Sequence, residues 1–457
     1  MQTALLITFF ICFTFLSFTR FNLALSILFL LLPTYLIDFS IGPIPTDMLE
    51  VMLGLVVLAW LVKKRKKIIK EVKQIYKRHR WLVVGVSLFV LGATISIFNG
   101  LDPISALGEW KSFYIEPIIL AAVLTTSLDS KEELKNILFA IVVSGFAVSI
   151  LAVYQHFTGF LVPYSFWENN NAFRVTAWYG FPNAVGHFLA PAVIIASYLV
   201  YDQIRTKPIG WLDKIKHFLY SLPHIFKKNN KPDRTKKETK NTLILTISLL
   251  AVPSGLLGII FAKSTGALMG VLGGLGVLLL FSKWRWWAVT LGVVGIIGVF
   301  LLPRGNNIRQ ELLLQNRTGQ LRIDMYQQTF EFIEDQPVFG AGISAYKQKI
   351  IPYRDNPNVE VFHHPHNLWL TIWVNLGIVG LIGFVWVLFW FYYFVGPKEK
   401  YEQIKTQQEL KLLATSIFTT FLVMGLVDSP YIKDDLALLF WFPIALALLS
   451  ERINSIS

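Results

Sequence analysis

Three short stretches place side chains capable of chemistry at the edges of apolar runs. His-His-Pro-His at 363–366 leads into "NLWLTIWVNLGIVGLIGF"; "NAFRVTAWYGFPNAVGHFLAP", 171–191, sets Arg174 just ahead of a second apolar run; "RIDMYQQTFEFIEDQP", 322–337, opens on Arg322. Imidazole exchanges a proton near neutral pH, and guanidinium presents a planar fork that matches phosphate or carboxylate oxygens. Pro365 favours a first helical turn, where its missing N–H leaves nothing unpaired, so a helix is expected from His366 onward. His366 would then stand at the positive end of a helix dipole, a place that attracts anions. Two plainer readings stand beside this one. His366 can be a polar cap at a membrane interface, and Arg174 can be a residue that snorkels toward water. A metal site finds little support, because His363, His364 and His366 crowd together across a proline with no cysteine or acid placed to complete a tetrahedron.

The elements that must position these groups follow from composition. The chain has 457 residues, of which 54% are hydrophobic and 16% charged, and its apolar runs repeatedly reach the length that crosses a bilayer as a helix. No stretch alternates apolar and polar residues as the strands of a membrane barrel do, so an all-α polytopic membrane protein is expected. Twelve or thirteen transmembrane helices are predicted, near 3–19, 21–38, 47–62, 81–98, 113–127, 137–157, 183–201, 242–262, 264–281, 285–302, 366–395, 411–427 and 433–450. The first charge of the opening run is Arg20, behind the apolar residues rather than ahead of them, so that run reads as a retained span and not a signal peptide.

The net charge of +13 is concentrated in two places: 63–80 carries ten Lys/Arg against one Glu, and 203–241 carries eleven against three acids. Basic loops between spans are cytoplasmic by the positive-inside rule, and they face anionic lipid. Nucleic acid is not an expected partner, because no aromatic stacking platform accompanies the charge. Cys12 is the single cysteine and lies in an apolar run, which excludes an intramolecular disulfide. Alternation from the two basic loops puts 99–112, 158–182, 303–365 and 428–432 on the outside. The organisation expected is a membrane bundle over 1–302 with basic loops 63–80 and 203–241, one folded external loop over 303–365 containing short amphipathic helices, and C-terminal spans over 366–457. Within 322–337 the apolar residues recur at helical spacing up to Pro337, and Gly340 and Gly342 mark a turn. Arg174, Arg322 and His366 then share the external side. Gly377, Gly380 and Gly383 make a flat stripe on which another helix can pack closely.

These residues carry a resemblance. His366-Asn367, nine residues, then Gly377-Ile378-Val379-Gly380 is an instance of the H-N-x9-G-x-x-G signature of O-antigen ligases. The stretch from Arg322 through Tyr326 and "DQPVFGAGISAY" resembles the pattern that precedes it in that family, and "FRVTAWYGFPN" resembles the family's earlier arginine followed by Pro-Asn. The resemblance covers at least 171–395 and points to the O-antigen ligase and polymerase superfamily. It implies a GT-C-like, metal-independent, inverting glycosyltransferase without a cofactor, acting at the outer face of the bacterial cytoplasmic membrane on an undecaprenyl-pyrophosphate-linked glycan. His366, Arg322 and Arg174 are then the expected catalytic residues. Asn367, Lys263, Tyr326 and Asn183 are expected to bind substrate, with Gly377 and Gly380 as structural positions. The sequence departs from the family at "KSTGALMG", where Thr265 stands in the place of an arginine and Lys263 lies two residues before it.

The acceptor stays open between a glycan, a lipid-linked glycan and a protein, that is, between ligase, polymerase and protein O-glycosyltransferase. A transporter is the alternative of another class. It should carry ionisable groups at mid-membrane or inverted repeats with broken helices, whereas here polar residues gather at the external ends of the spans. Asp102, Glu109, Lys111 and Glu116 on one external segment, and Asp428 with Asp434 near the last, are candidates for shaping an acceptor site, with solvated loop charges as the plainer reading.

Overall fold

In a computed structural model the described residues are 2–42, 44–162, 173–206, 233–281, 284–355, 360–395 and 406–453. The described residues are mostly helical: α1 Gln2–Thr19, α2 Phe21–Leu30, α3 Met48–Arg78, α4 Arg80–Asn99, α5 Pro103–Glu109, α6 Glu116–Ser127, α7 Lys131–Thr158, α8 Pro182–Thr206, α9 Asp233–Phe261, α10 Thr265–Leu280, α11 Arg285–Leu301, α12 Asn307–Leu312, α13 Arg317–Asp335, α14 Tyr346–Lys349, α15 Leu368–Trp390, α16 Thr406–Met424 and α17 Asp434–Ile453. One antiparallel pair, β1 Asp38–Ile41 with β2 Ile44–Asp47, joins α2 to α3. Among the described residues, five helices (α4, α7, α8, α9 and α15) are long and apolar enough to cross a bilayer, and α1, α2, α10 and α11 are shorter apolar helices. The chain is an all-α, multi-pass membrane protein.

Each expected span has a helix, with three differences. The run at 21–38 stops early, because Pro33 opens a 3₁₀ turn over Leu32–Leu36 behind α2. The run at 113–127 is the 12-residue α6, entered through a π-helical turn at Trp110–Ile115. The basic stretch 63–80 is not a loop: α3 continues as helix through Arg78, and α4 begins at Arg80. Most of the second basic loop, 207–232, lies outside the described residues, as does most of the charged connector 396–410.

Local chemistry sets the helix ends. Asp47 caps α3 by accepting from the Glu50 amide at 2.9 Å, and Ser130 caps α7 by accepting from the Glu133 amide at 3.2 Å. The Glu133 carboxylate reaches back to the Asp129 amide at 2.8 Å, a reciprocal arrangement close to a capping box. The core is apolar and continuous from α1 to α17. Its tightest crossing is α4 against α15: a Cβ on Gly92 would lie 2.4 Å from the Gly380 Cα, and one on Gly383 2.2 Å from the Phe89 amide nitrogen. Packing in lipid has no hydrophobic drive between helices, so backbones that approach this closely supply it through dispersion.

The external segment is folded and docks on α15. Phe332 and Ile333 of α13, Ala341, Tyr346 and Ile350 pack against Leu370 and Val374 of α15 in a small separate core. What holds it there is a break in α15. Gly377 sits at φ 65°, ψ −173°, a conformation close to exclusive to glycine. The break releases backbone groups that an unbroken helix would pair. The Val374 carbonyl accepts from the Ala341 and Gly342 amides (2.7 and 3.2 Å), and the Ile378 amide donates to the Val338 carbonyl at 3.0 Å. Gly340 and Gly342, at φ 62° and 86°, shape the turn that delivers these groups. The two glycines of the signature therefore do different work: Gly377 opens α15 to the external segment, and Gly380 lets α4 in.

Candidate active site

Arg174 is placed by a segment with little regular structure of its own. Gln155, fully buried in the last turns of α7, accepts from the Thr176 and Ala177 amides (3.1 and 2.7 Å) and donates to the Leu161 and Ala177 carbonyls (3.0 and 2.9 Å). The Val175 amide also reaches the Phe261 carbonyl at the end of α9. Held there, Arg174 donates through Nε to the Ala262 carbonyl at 2.8 Å and through Nη2 to the Lys263 carbonyl at 3.2 Å and to Asn183 Oδ1 at 2.7 Å. Lys263 occupies the tight turn between α9 and α10 at φ 48°, a left-handed conformation that turns its carbonyl toward the guanidinium.

The contact to Asn183 fixes the orientation of that amide. Its oxygen is used by a donor, so its nitrogen faces the other way and donates to Asp428 Oδ2 at 2.7 Å. Asp428 lies in the turn after α16 and is only 5% exposed. Its other oxygen, Oδ1, is 2.8 Å from His366 Nδ1 and also accepts from the Ser429 amide at 2.9 Å. His187 Nε2, from the second turn of α8, lies 3.3 Å from Oδ2. Burial pushes the Asp428 carboxyl up, but the imidazoles of His187 and His366 outweigh it and hold the group well below the ordinary carboxylate range. Asp428 is therefore an acceptor, and His366 donates to it through Nδ1. In the neutral imidazole this leaves Nε2 carrying the lone pair.

A cavity of about 640 Å³ opens beside this chain of contacts. Its polar lining includes Arg174, Asn183, Lys263, Arg322 and Asp428, and its apolar lining includes Ile259, Ile260, Leu268, Met269, Val423 and Leu426. Arg174 and Arg322 are near enough to act on each other: burial first, and then the Arg322 cation, bring the Arg174 guanidinium down to about 10, against the opposing pull of Asp428 and Glu311. Two such cations drawn together in a partly desolvated recess are the arrangement that a multiply charged anion relieves.

Arg174, Arg322, Lys263 and Asn183 thus come together around one cavity. His366 does not line it directly and joins it through Asp428. Three positions differ from the expectation in detail. His366 is not in a helix: it stands at φ 49°, and α15 starts at Leu368 with Asn367 as its cap. The Asn367 oxygen accepts from the Trp369 and Leu370 amides, and its amide donates to the Leu426 carbonyl at 3.1 Å. Arg322 lies in the second turn of α13 rather than opening it, because Asn316 caps that helix through the Gly319 amide at 2.7 Å. Tyr326, one turn beyond Arg322, points to backbone: its hydroxyl donates to the His366 carbonyl at 2.9 Å and the Leu426 carbonyl at 3.3 Å, tying the external helix to the histidine. Thr265 donates to Glu311 of α12 at the cavity mouth. The His364 and His366 rings meet edge to face at 4.8 Å, and burial brings His364 down to about 3.

Sequence reasoning missed His187, and it gave Asp428 no part beside His366. Both had a signal. A lone histidine inside the apolar run "AVGHFLAP" and a lone acid closing "FLVMGLVD" are ionisable groups at the edge of the membrane, where they are expensive unless paired.

Residues 249–385 match the family model for O-antigen ligase. This stretch belongs to the O-antigen ligase superfamily. The O-antigen ligase match runs from α9 into α15 and holds Lys263, Arg322, Tyr326, His366, Asn367, Gly377 and Gly380, whereas Arg174, Asn183, His187 and Asp428 lie outside it. No curated protein matches the chain.

Proposed function

We propose that the protein is an O-antigen ligase-like glycosyltransferase that moves a glycan from an undecaprenyl-pyrophosphate donor to an acceptor hydroxyl at the outer face of the bacterial cytoplasmic membrane. The observation that carries this reading is the unbroken run of contacts from Arg174 through Asn183 and Asp428 to His366, beside a cavity that Arg322 and Lys263 also line. In this reading the two guanidiniums hold the pyrophosphate, with the Lys263 ammonium as the third cation in place of the family arginine absent at Thr265. The apolar part of the cavity takes the first isoprene units of the lipid.

Asp428 holds the His366 ring so that Nε2 faces away from the carboxylate toward the acceptor. The acceptor hydroxyl oxygen attacks the anomeric carbon from the face opposite the leaving group while Nε2 takes its proton. The bond between that carbon and the phosphate oxygen breaks, and the lipid pyrophosphate leaves with the electron pair. The anomeric configuration inverts, as a single displacement requires. Charge that develops on the leaving oxygen falls to Arg174 and Arg322, a fixed electrostatic stabilisation that asks no metal of the reaction. General-base assistance from His366 contributes roughly 10²–10⁴ in rate. Acceptors of the ligase type are favoured over protein, because the external segment between α11 and α15 is spent on docking to α15.

The test is transfer by the purified protein in sealed proteoliposomes, with EDTA present, from a lipid-pyrophosphate oligosaccharide to glycan, lipid-linked glycan and protein acceptors. Equal release of lipid pyrophosphate and appearance of inverted product on an acceptor supports the reading. Donor left intact with every acceptor, with a small solute crossing the membrane instead, would support a transporter.

A further inference from the structure

The end of the bundle opposite the cavity carries a second surface. Helix α3 does not stop where its apolar residues stop at Val62 but continues for another 16 residues, "KKRKKIIKEVKQIYKR", with nine Lys/Arg against one Glu. One side of this extension is spoken for. Lys67 pairs with Asp129 at the end of α6 (2.5 Å), Glu71 with Arg452 at the end of α17 (3.5 Å), Ile68 packs on the core, and His79 meets Glu451 at 3.1 Å. At about 100° of rotation per residue, 67, 68, 71 and 75 fall on this inward side, 69, 72 and 76 fall on a flank turned about 120° from it, and 66, 73 and 77 follow on the far side. The flank holds Ile69, Val72 and Tyr76, exposed by 51, 48 and 62%, with Lys66, Lys73 and Lys77 exposed along their border.

The covalent connection says where this outward face lies. Helix α4 begins at Arg80, one residue after α3 ends, and it is a membrane span from its first turn. Arg78 is therefore at the bilayer surface. Lys63, at the end of the apolar run of α3, is at that surface as well, so a helical stretch of about 24 Å has both ends at the same interface. Its contacts with the ends of α6 and α17 place it across the end of the bundle at that level. A helix in such a position with an apolar stripe flanked by lysines matches the amphipathic helices that lie in a membrane interface.

We infer that residues 63–78 form an interfacial helix whose outward face, Ile69, Val72 and Tyr76 bordered by Lys66, Lys73 and Lys77, binds the anionic phospholipid headgroups of the membrane in which the protein sits. The apolar side chains enter the boundary of the acyl region, and the lysines take the phosphates. An acidic soluble protein is the competing occupant, but it would have to displace a lipid surface that is already adjacent.

The full-length protein permits a direct test, because Cys12 is its single cysteine. In a Cys12→Ala background, spin labels at Ile69→Cys, Val72→Cys, Tyr76→Cys, Lys66→Cys and Lys73→Cys are read in proteoliposomes for collision with oxygen, which concentrates in lipid, and with a water-soluble nickel chelate. Two lipid compositions are compared, one neutral and one containing phosphatidylglycerol. The expected result is oxygen-dominated accessibility at 69, 72 and 76, higher nickel accessibility at 66 and 73, and a deeper position for the first three when phosphatidylglycerol is present. Uniform nickel accessibility in both membranes would overturn the inference and leave the face free for a soluble partner. Equal depth in both membranes would overturn its anionic specificity.

Discussion

Replacing Asp428 by Asn keeps the shape of the buried side chain and changes its chemistry in a way that can be followed bond by bond. Asp428 accepts on both oxygens, from Asn183 on one and from His366 and the Ser429 amide on the other. An asparagine turns one of these acceptors into a donor. If its NH₂ faces Asn183, two donors oppose each other, and Asn183 cannot flip without losing Arg174, which already uses its oxygen. If the NH₂ faces His366, the imidazole must turn over its proton and present a donor at Nε2, where a base is required. Either outcome leaves one buried donor unmatched, which costs about 1–3 kcal/mol of stability. Loss of the general base lowers kcat by about 10²–10⁴, or about 3–5 kcal/mol of barrier.

Steady-state kinetics with a lipid-pyrophosphate donor should therefore show the loss in kcat, with a smaller change in KM for donor arising through Arg174. The acid limb of stability gives an independent readout. Asp428 is held below its ordinary pKa, so the stability it contributes is present above the unfolded carboxylate range near ~4 and is lost as pH falls through its lower folded value. Asp428→Asn should flatten that limb. A variant whose kcat stays within about threefold of wild type would refute the reasoning, since that is less than the smallest contribution expected of a general base.

Three further outcomes follow from the same geometry. Burial and the neighbouring Arg322 disfavour the Arg174 charge, which a bound anion relieves, so both guanidiniums stay cationic over the working pH range and Arg322→Gln should weaken the affinity for inorganic pyrophosphate measured by calorimetry. Lys263→Gly removes the cavity ammonium while suiting the φ of 48°, so thermal stability should hold and KM for donor should rise about tenfold, on the scale of about 1.4 kcal/mol for one screened charge contact. Gly377→Ala would put a Cβ 2.2 Å from the Val338 carbonyl oxygen in a backbone region other residues avoid, costing at least about 1–3 kcal/mol and speeding proteolysis of 303–365, whereas Gly276→Ala, with open space around it, should do neither.

How much of this was legible beforehand depended on the kind of interaction involved. Apolar runs and helix starts are local, so the spans near 81–98, 137–157, 183–201, 242–262 and 366–395 appear as long helices close to where the pattern puts them. The Gly380 stripe also behaved as its spacing implies, because small residues have few other uses on an apolar helix. Gly377 was read as part of that stripe and is a break instead; only the partner that takes up its freed backbone groups, residues 338–342, distinguishes the two. The same holds for Pro365, which suits a first helical turn, yet Asn367 offers a better cap and leaves His366 outside the helix. Arg174 and Arg322 stood out as cations on the side where charge is not required. Asp428 is hard to single out in sequence, because a lone acid after a span looks like any solvated loop charge. Its partners lie 62, 241 and 245 residues away in sequence, at His366, His187 and Asn183, so nothing near it announces the pairing. Tyr326 and Asn367 were identified by their place in a motif, whereas their side chains turn to the backbone at His366 and Leu426 and hold the site together.

If the cations bind the donor and His366 consumes it, single-turnover measurement on the purified protein in nanodiscs separates the two roles directly. Donor binding and donor consumption are followed in wild type, His366→Ala, Arg174→Ala and Arg322→Ala, with acceptor added after binding is complete. His366→Ala should bind donor as wild type does and fail to transfer it, while each arginine variant should lose binding itself. Transfer by His366→Ala at the wild-type rate, or full donor binding without both arginines, would contradict that division of roles.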